Sequence, residues 1–153
     1  MGARKYNKYG NHKQVVDGHE FDSKAEAMYY GQLKWLLQAK QIKGFKLQPR
    51  YLLQEGFKKN GKAYRKIEYV ADFEVRHLDD TTEVIDIKGV ETKEFMLKKK
   101  LFEYRYLDKL SVIGYDSSLG FMELDKLNKL KNKVVKKSAK SSNRRRSSNV
   151  GKA

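Results

Sequence analysis

Residues 67–89 read IEYVADFEVRHLDDTTEVIDIKG, two strand-like runs joined through a turn at Asp79 and Asp80. In the first run Ile67, Tyr69, Ala71, Phe73 and Val75 alternate with Glu68, Val70, Asp72, Glu74 and Arg76. Successive side chains on a strand leave by opposite faces, so the first set forms a core face and the second a polar one. In the second run Ile85 and Ile87 share one face, while Val84, Asp86 and Lys88 share the other. A hairpin centred on Asp79 or Asp80 sets Asp72 opposite Asp86 or one step diagonal to it. The two carboxylates then lie about 5–8 Å apart, the spacing of cross-strand neighbours. Like charges that close repel unless a proton or a cation stands between them. Oxygen donors of this kind suit magnesium or manganese, with backbone carbonyls and water completing the shell. Lys88 points the same way and is placed to hold a water or a phosphate oxygen. Taken alone, Asp-x-Lys is a short motif and more often marks a hydrated strand face.

Upstream, residues 1–13 (MGARKYNKYGNHK) are basic and aperiodic, and read as a flexible arm. Val15 and Val16, Asp17-Gly18 and His19 to Phe21 read as a hairpin, because Asp-Gly supplies the positive φ angles of a tight turn. A helix follows from about Ser23 to Ala39, ending before Gly44. On its wheel Glu26 falls within the stripe of Tyr29, Tyr30, Leu33, Leu36 and Leu37. A carboxylate there is costly without a cation or donor. The local alternative is a capping box, Ser23-x-x-Glu26, in which Glu26 turns back to the helix N-terminus. Phe45 to Phe57 looks extended, with Pro49 at an edge or bulge. Asn60-Gly61 is a second hairpin turn leading into a long strand from about Tyr64 to Arg76.

Downstream of Glu83 to Lys88, Gly89 closes the strand, a helix spans about Thr92 to Leu110, and Ser111 to Tyr115 is a short strand. Phe121, Leu124, Leu127, Leu130 and Val134 recur at helical spacing and predict a last amphipathic helix. After Lys140 the sequence has the composition of a disordered basic tail. The expected organisation is an arm over 1–13, a folded domain over 14–137 and a disordered basic tail over 138–153. The order of helices and strands predicts an α/β (α+β) sandwich around one mixed sheet.

The chain has 153 residues, enough for one domain. Its 34 Lys and Arg against 19 Asp and Glu give a net charge of +15. Nine of those cations, and no acid, fall between Lys131 and Ala153, leaving +6 for the rest. Such a surplus favours a polyanionic partner, since each neutralised phosphate releases counterions. Without Cys there are no disulfides, thiolate zinc sites or cysteine nucleophiles. The three His lack His-x-x-x-His spacing, so an imidazole cage is not expected. Apolar runs of about four residues are far short of a membrane span, and no signal-peptide pattern opens the chain. The expectation is a soluble, cytosolic protein with no membrane partner.

Together these positions resemble the PD-(D/E)XK nuclease superfamily. Its pattern is a helix acid, an Asp on one strand, and an acid-x-Lys on the next, antiparallel strand. Here it reads Glu26, Asp72 in YVADFEV, and Asp86-Ile87-Lys88 in EVIDIKG. The stretch ADFEV…EVIDIKGVETKEFMLKKKLFEYRY is similar to phage enzymes that cleave four-way DNA junctions, and to transposon end-cleaving nucleases. Residues 4–115 as a whole resemble small phage-encoded proteins of that superfamily. Ala71 stands where the name-giving proline would be, and Asp86 where Glu is commoner. The resemblance implies a restriction-endonuclease-like sandwich and a metal-dependent endodeoxyribonuclease acting on branched DNA, in a host cytoplasm. Asp72, Asp86 and the carbonyl of Ile87 would hold Mg2+ or Mn2+, and Glu26 would reach the ion directly or through water. Lys88 would orient or help deprotonate the attacking water. Beside the resemblance, the residues themselves offer DNA contacts at Gln48, at Lys93, Lys98 and Lys99 on the following helix (Lys98 foremost, the alternative being a solvated helix face), and at Arg144, Arg145 and Arg146 in the tail. Tyr6, Tyr9 and His12 would line a groove or stack on an exposed base. Symmetric cutting of a junction would need a homodimer. Two other classes compete: a non-catalytic DNA-binding module on the same basic surface, and a basic RNA-chaperone-like protein. The second leaves Glu26, Asp72 and Asp86 without a purpose.

Overall fold

A computed structural model describes residues 13–147 of the chain. It opens on a hairpin, β1 (Gln14–Val16) and β2 (His19–Phe21), turned by Asp17 and Gly18 at φ of 53° and 78°. α1 (Lys24–Gln38) follows, with Ser23 as its N-cap accepting from the Glu26 N–H at 3.1 Å. Then come β3 (Ile42–Leu47), β4 (Arg50–Gln54), β5 (Phe57–Lys59), β6 (Lys62–Tyr64), β7 (Ile67–Val70), β8 (Phe73–His77) and β9 (Thr82–Ile87). The chain closes with α2 (Lys93–Arg105), β10 (Lys109–Asp116), β11 (Gly120–Glu123) and α3 (Leu124–Ser147).

Five strands form one mixed sheet in the order β11-β10-β9-β8-β3. Only β9 and β10 run parallel, as a strand–helix–strand crossover through α2 requires. Under α1, Tyr30 and Leu33 meet Phe73, Val75, Ile85 and Ile87. On the opposite face Phe95 and Phe102 of α2 and Leu124 of α3 meet Tyr69, Val84 and Val112. The architecture is therefore the α+β sandwich that the order of elements predicts. Among the described residues no helix is long and apolar enough to cross a membrane.

The expected single strand from Tyr64 to Arg76 is three strands, and its break places the site. Leu47 faces Phe73 and Arg50 faces Val70, so the ladders β3–β8 and β4–β7 keep one register across a gap. In the gap Gln48 N–H donates to Asp72 O at 2.9 Å and Ala71 N–H to Pro49 O at 3.1 Å. Gln48 is left-handed, at φ 47°, and Pro49 has no N–H to give. The ladder bends there. As a result Tyr69 and Ala71 pack under α2 while Phe73 and Val75 pack under α1, splitting what alternation alone makes one core face.

Three further boundaries differ from expectation. α2 stops at Arg105, short of Leu110, because Tyr106 turns extended and docks on β4. Its hydroxyl donates to Leu52 O at 2.9 Å and its ring stacks on Phe102 at 5.0 Å. Phe121 belongs to β11, opposite Tyr115, with its ring 5.0 Å from Tyr29, so the last helix begins at Leu124. That helix continues to Ser147, into the stretch expected to be disordered. Once a helix is nucleated each added residue gains a hydrogen bond, and Lys, Arg and Ala propagate it well. The arm at 1–12 and the tail end at 148–153 lie outside the described residues.

α3 is seated on β10 at Gly114, where an added Cβ would come within 2.8 Å of Leu127 and 2.9 Å of Leu124. Leu127 is 2 % exposed. Leu127→Ala is expected to lower unfolding stability by about 2–5 kcal/mol in urea titration. A loss below about 0.5 kcal/mol would mean that α3 is not part of the core.

Candidate active site

Asp72 immediately precedes β8, and Asp86 lies next to the end of β9. The β8–β9 pairs run from Arg76↔Thr82 to Phe73↔Ile85, and one further step in that register brings Asp72 to Asp86. Asp72 is fastened there twice. Its N–H donates to Ile85 O at 3.1 Å, and its Oδ2 accepts the Ile87 N–H at 2.6 Å.

Asp86 is 1 % exposed. Its Oδ2 accepts the hydroxyl of Tyr69. Its Oδ1 is a buried acceptor without a hydrogen-bond donor, although Lys88 Nζ lies 2.8 Å away. The two facts are compatible: the ammonium is near enough to pair electrostatically but does not meet the oxygen in hydrogen-bond geometry. Lys88 Nζ also lies 4.5 Å from the ring centroid of Phe95, a second favourable site for the same charge. Burying an ionised carboxylate costs several kcal/mol, and the Tyr69 hydroxyl and the Lys88 ammonium are the partners that offset it here.

The electrostatics report crowding. Burial first, then the charges of Asp86 and Glu26, push the Asp72 carboxyl up to about 8, against the pull of the Ile87 N–H and Lys88. Burial likewise raises Glu26, with further pushes from Asp22 and Asp86. Glu26 caps its own helix: Oε1 accepts the Ser23 hydroxyl at 2.9 Å and Oε2 the Asp22 N–H at 3.1 Å. The capping box is thus present, with its return bond one residue upstream of the N-cap amide. Glu26, Gln48 and Asp72 share a cavity of about 70 Å³ with Phe21 and Leu47, room for a few waters.

The donor set can be tested against a divalent ion. Among the described residues no three carboxylate or imidazole side chains converge on one point. Two carboxylates do suit a hard cation. Asp86 Oδ1 lacks a donor, and the Asp72 carboxyl, raised first by burial and then by the charges of Asp86 and Glu26, would be held ionised by a cation beside it.

A family model described as a protein of unknown function, DUF1064, matches residues 6–119. The chain belongs to the DUF1064 family. No curated protein matches it. The DUF1064 match contains Glu26, Asp72, Asp86, Ile87 and Lys88, and stops before α3.

The other expected residues scatter around this DUF1064 core. Gln48 is brought to Asp72 through its backbone N–H, while its side chain is exposed. Lys98 pairs with Glu94 at 3.3 Å and Lys99 with Glu91 at 3.1 Å, and Lys93 is exposed. Lys99 and Glu91 line a separate cavity of about 210 Å³ that contains none of the four site side chains. The side chains of Arg144, Arg145 and Arg146 lie outside the described ones, as do residues Tyr6, Tyr9 and His12. Tyr69 is the site residue that alternation misses, because it counts there as core. The available signal is its hydroxyl, which needs a partner once the ring is buried.

A raised Asp72 pKa fixes the sign of a pH effect. The unfolded carboxyl ionises near 3.8 and the folded one at about 8, so Asp72 favours folding most below the lower value. That contribution fades as pH rises through the upper value. In metal-free buffer, wild-type stability relative to Asp72→Asn is expected to fall steadily from pH 4 through about pH 8 in denaturant titrations. Added magnesium or manganese should flatten the decline. A difference independent of pH would show that Asp72 ionises normally.

Proposed function

We propose that the protein is a metal-dependent endonuclease that hydrolyses DNA phosphodiester bonds, with branched DNA as its substrate class. The observation that carries this reading is Asp86: a buried carboxylate with a donorless oxygen, set beside Asp72 and 2.8 Å from Lys88. Neither a structural ion pair nor a hydrated strand face explains why a buried acid and a half-buried one should be set side by side at a sheet bend. A divalent ion between them removes the repulsion and supplies the oxygen with a ligand. The net charge of +15 supports a nucleic-acid partner. The preference for branched DNA rests on the resemblance to junction-cleaving enzymes, and symmetric cutting would need two copies of the chain.

When bound, the ion would lower the pKa of a coordinated water and stabilise charge on the phosphoryl oxygens. Every other part falls to side chains of this chain. Asp72 and Asp86 would hold the ion, with the Ile87 carbonyl and Glu26 completing its surroundings. Ile87 N–H fixes the orientation of the Asp72 carboxylate, and the Tyr69 hydroxyl fixes that of Asp86. Lys88 is near enough to hold the attacking water or a non-bridging phosphate oxygen. In the reaction water oxygen bonds to phosphorus and gives up a proton to solvent or to a basic group, while the P–O bond to deoxyribose breaks and the departing deoxyribose oxygen takes up a proton from solvent.

A non-catalytic DNA-binding module is the second reading. The engagement of Glu26 in its helix cap favours it, because that carboxylate is satisfied without a metal. The two readings part in one assay, with labelled duplex, single strand, fork and four-way junction as substrates. Cutting is expected with magnesium or manganese, to vanish in chelator, and not to require zinc. Asp72→Ala, Asp86→Ala and Lys88→Ala should each slow it by at least about 100-fold. The two Asp variants should keep or improve DNA binding, since a carboxylate repels phosphate. Binding without cutting in any metal would favour the non-catalytic module.

A further inference from the structure

The sequence between Glu55 and Glu68 contains Lys58, Lys59, Lys62, Arg65 and Lys66 and no acid. Its strands β5 and β6 pair only with each other, as a two-stranded ribbon outside the central sheet. Every residue from 56 to 66 is exposed. An isolated two-stranded ribbon is marginal in water, and the reasons this one holds are visible. Asn60 and Gly61 take φ of 51° and 73°, the left-handed pair of a tight turn. Phe57 and Tyr64 face each other with ring centroids 4.7 Å apart and planes 10° from parallel. At the base, Gly56 lies so close to the returning strand that a Cβ would meet Tyr64 O at 3.2 Å and Lys66 N at 3.3 Å.

The tip contradicts this economy. Lys59 and Lys62 are direct cross-strand partners, on the same face as the aromatic pair. Like charges set directly opposite destabilise a ribbon. Among the described residues neither has an ion-pair partner, nor do Lys58 and Arg65, while Lys66 pairs with Glu68 at 2.9 Å. Lys62 has only the Tyr64 ring, 5.4 Å away. An anion lying across the tip would turn the repulsion into a binding contribution.

The ribbon is also tied to the site. The β4–β7 ladder connects its base to the bend at Gln48 and Asp72. Gly61 precedes Asp72 by eleven residues. At about 3.3 Å per residue the tip is at most about 36 Å from Asp72. One turn of duplex measures about 34–36 Å, and its major groove admits a two-stranded ribbon.

We propose that β5 and β6 form a duplex-DNA-holding ribbon. Lys59 and Lys62 straddle backbone phosphates within one helical turn of the bond at the Asp72–Asp86 site. The assignment takes DNA as the ligand from the nuclease reading, but it concerns binding and is tested without chemistry. The test is the affinity of wild type and a Lys59→Gln/Lys62→Gln variant for a labelled duplex, with labelled single-stranded DNA and RNA beside it, by fluorescence anisotropy across a salt series without divalent metal. The variant's log-affinity against log-salt line is expected to be shallower by about 1.8, roughly 0.9 per lost phosphate contact. Near physiological salt its binding should be about ten-fold or more weaker. It should melt no lower than wild type, because the opposed charges are gone. Unchanged slope and affinity, a loss confined to single-stranded DNA or RNA, or a lowered melting temperature would each overturn the proposal. If wild type cuts nothing but the slope still drops, the nuclease reading fails and the ribbon stands.

Discussion

Two carboxylates are brought to each other by the register of β8 on β9, and nearly everything distinctive in the molecule follows from that pairing. Asp86 belongs to a strand whose neighbours on both sides are hydrogen-bonded, so it cannot leave the interior. Asp72 sits where the adjoining ladder breaks, and Ile87 N–H holds it against β9. The repulsion between them is intrinsic to the fold. A proton at Asp72, the ammonium of Lys88 or a bound cation can each reduce it, and a bound cation would also give Asp86 Oδ1 a ligand.

The surrounding structure makes sense as support for this pair. The bend at Gln48 and Pro49 sends β4 and β7 away from the sheet and carries Tyr69 to the side of Asp86. Phe73 and Ile87, neighbours in sequence of Asp72 and Asp86, are locked under α1 and remove any freedom to slip by a residue. Lys88 is confined between Asp86 and the Phe95 ring, which fixes its ammonium near the end of the strand. The β4–β7 ladder that starts at this bend leads at its other end into the exposed β5–β6 ribbon, so one ladder adjoins both the acidic site and the basic ribbon.

Much of this was legible in the residues because short-range signals determined it. Asp17-Gly18 and Asn60-Gly61 mark their turns through the positive φ they require, and both turns form. A short link through Asp79 and Asp80 leaves few registers for the next strand, so the approach of Asp72 to Asp86 could be read from alternation. Long-range effects were not legible. Nothing local in Glu68 to Arg76 says that β7 pairs with β4 rather than joining the main sheet, and the switch of Tyr69 and Phe73 between core layers depends on that choice. Tyr106 ends α2 by docking on Leu52, a residue far away in sequence. Phe121 kept the helical spacing but pairs with Tyr115. For Glu26 the sequence offered both a cap and a ligand; the cap bonds are present.

The central claim is that Asp72 and Asp86 together bind one divalent ion, and carboxyl carbon NMR with manganese tests it most directly. Substoichiometric Mn2+ should broaden the Asp72 and Asp86 side-chain carboxyl signals first. Those of Glu83, tied to Ser111 and His77, and of Asp116, tied to Lys131, should stay sharp. In an Asp86→Asn variant the selective broadening at Asp72 should disappear. Broadening spread evenly over the surface acids Asp79, Asp80 and Asp125, or selective broadening that survives Asp86→Asn, would contradict it.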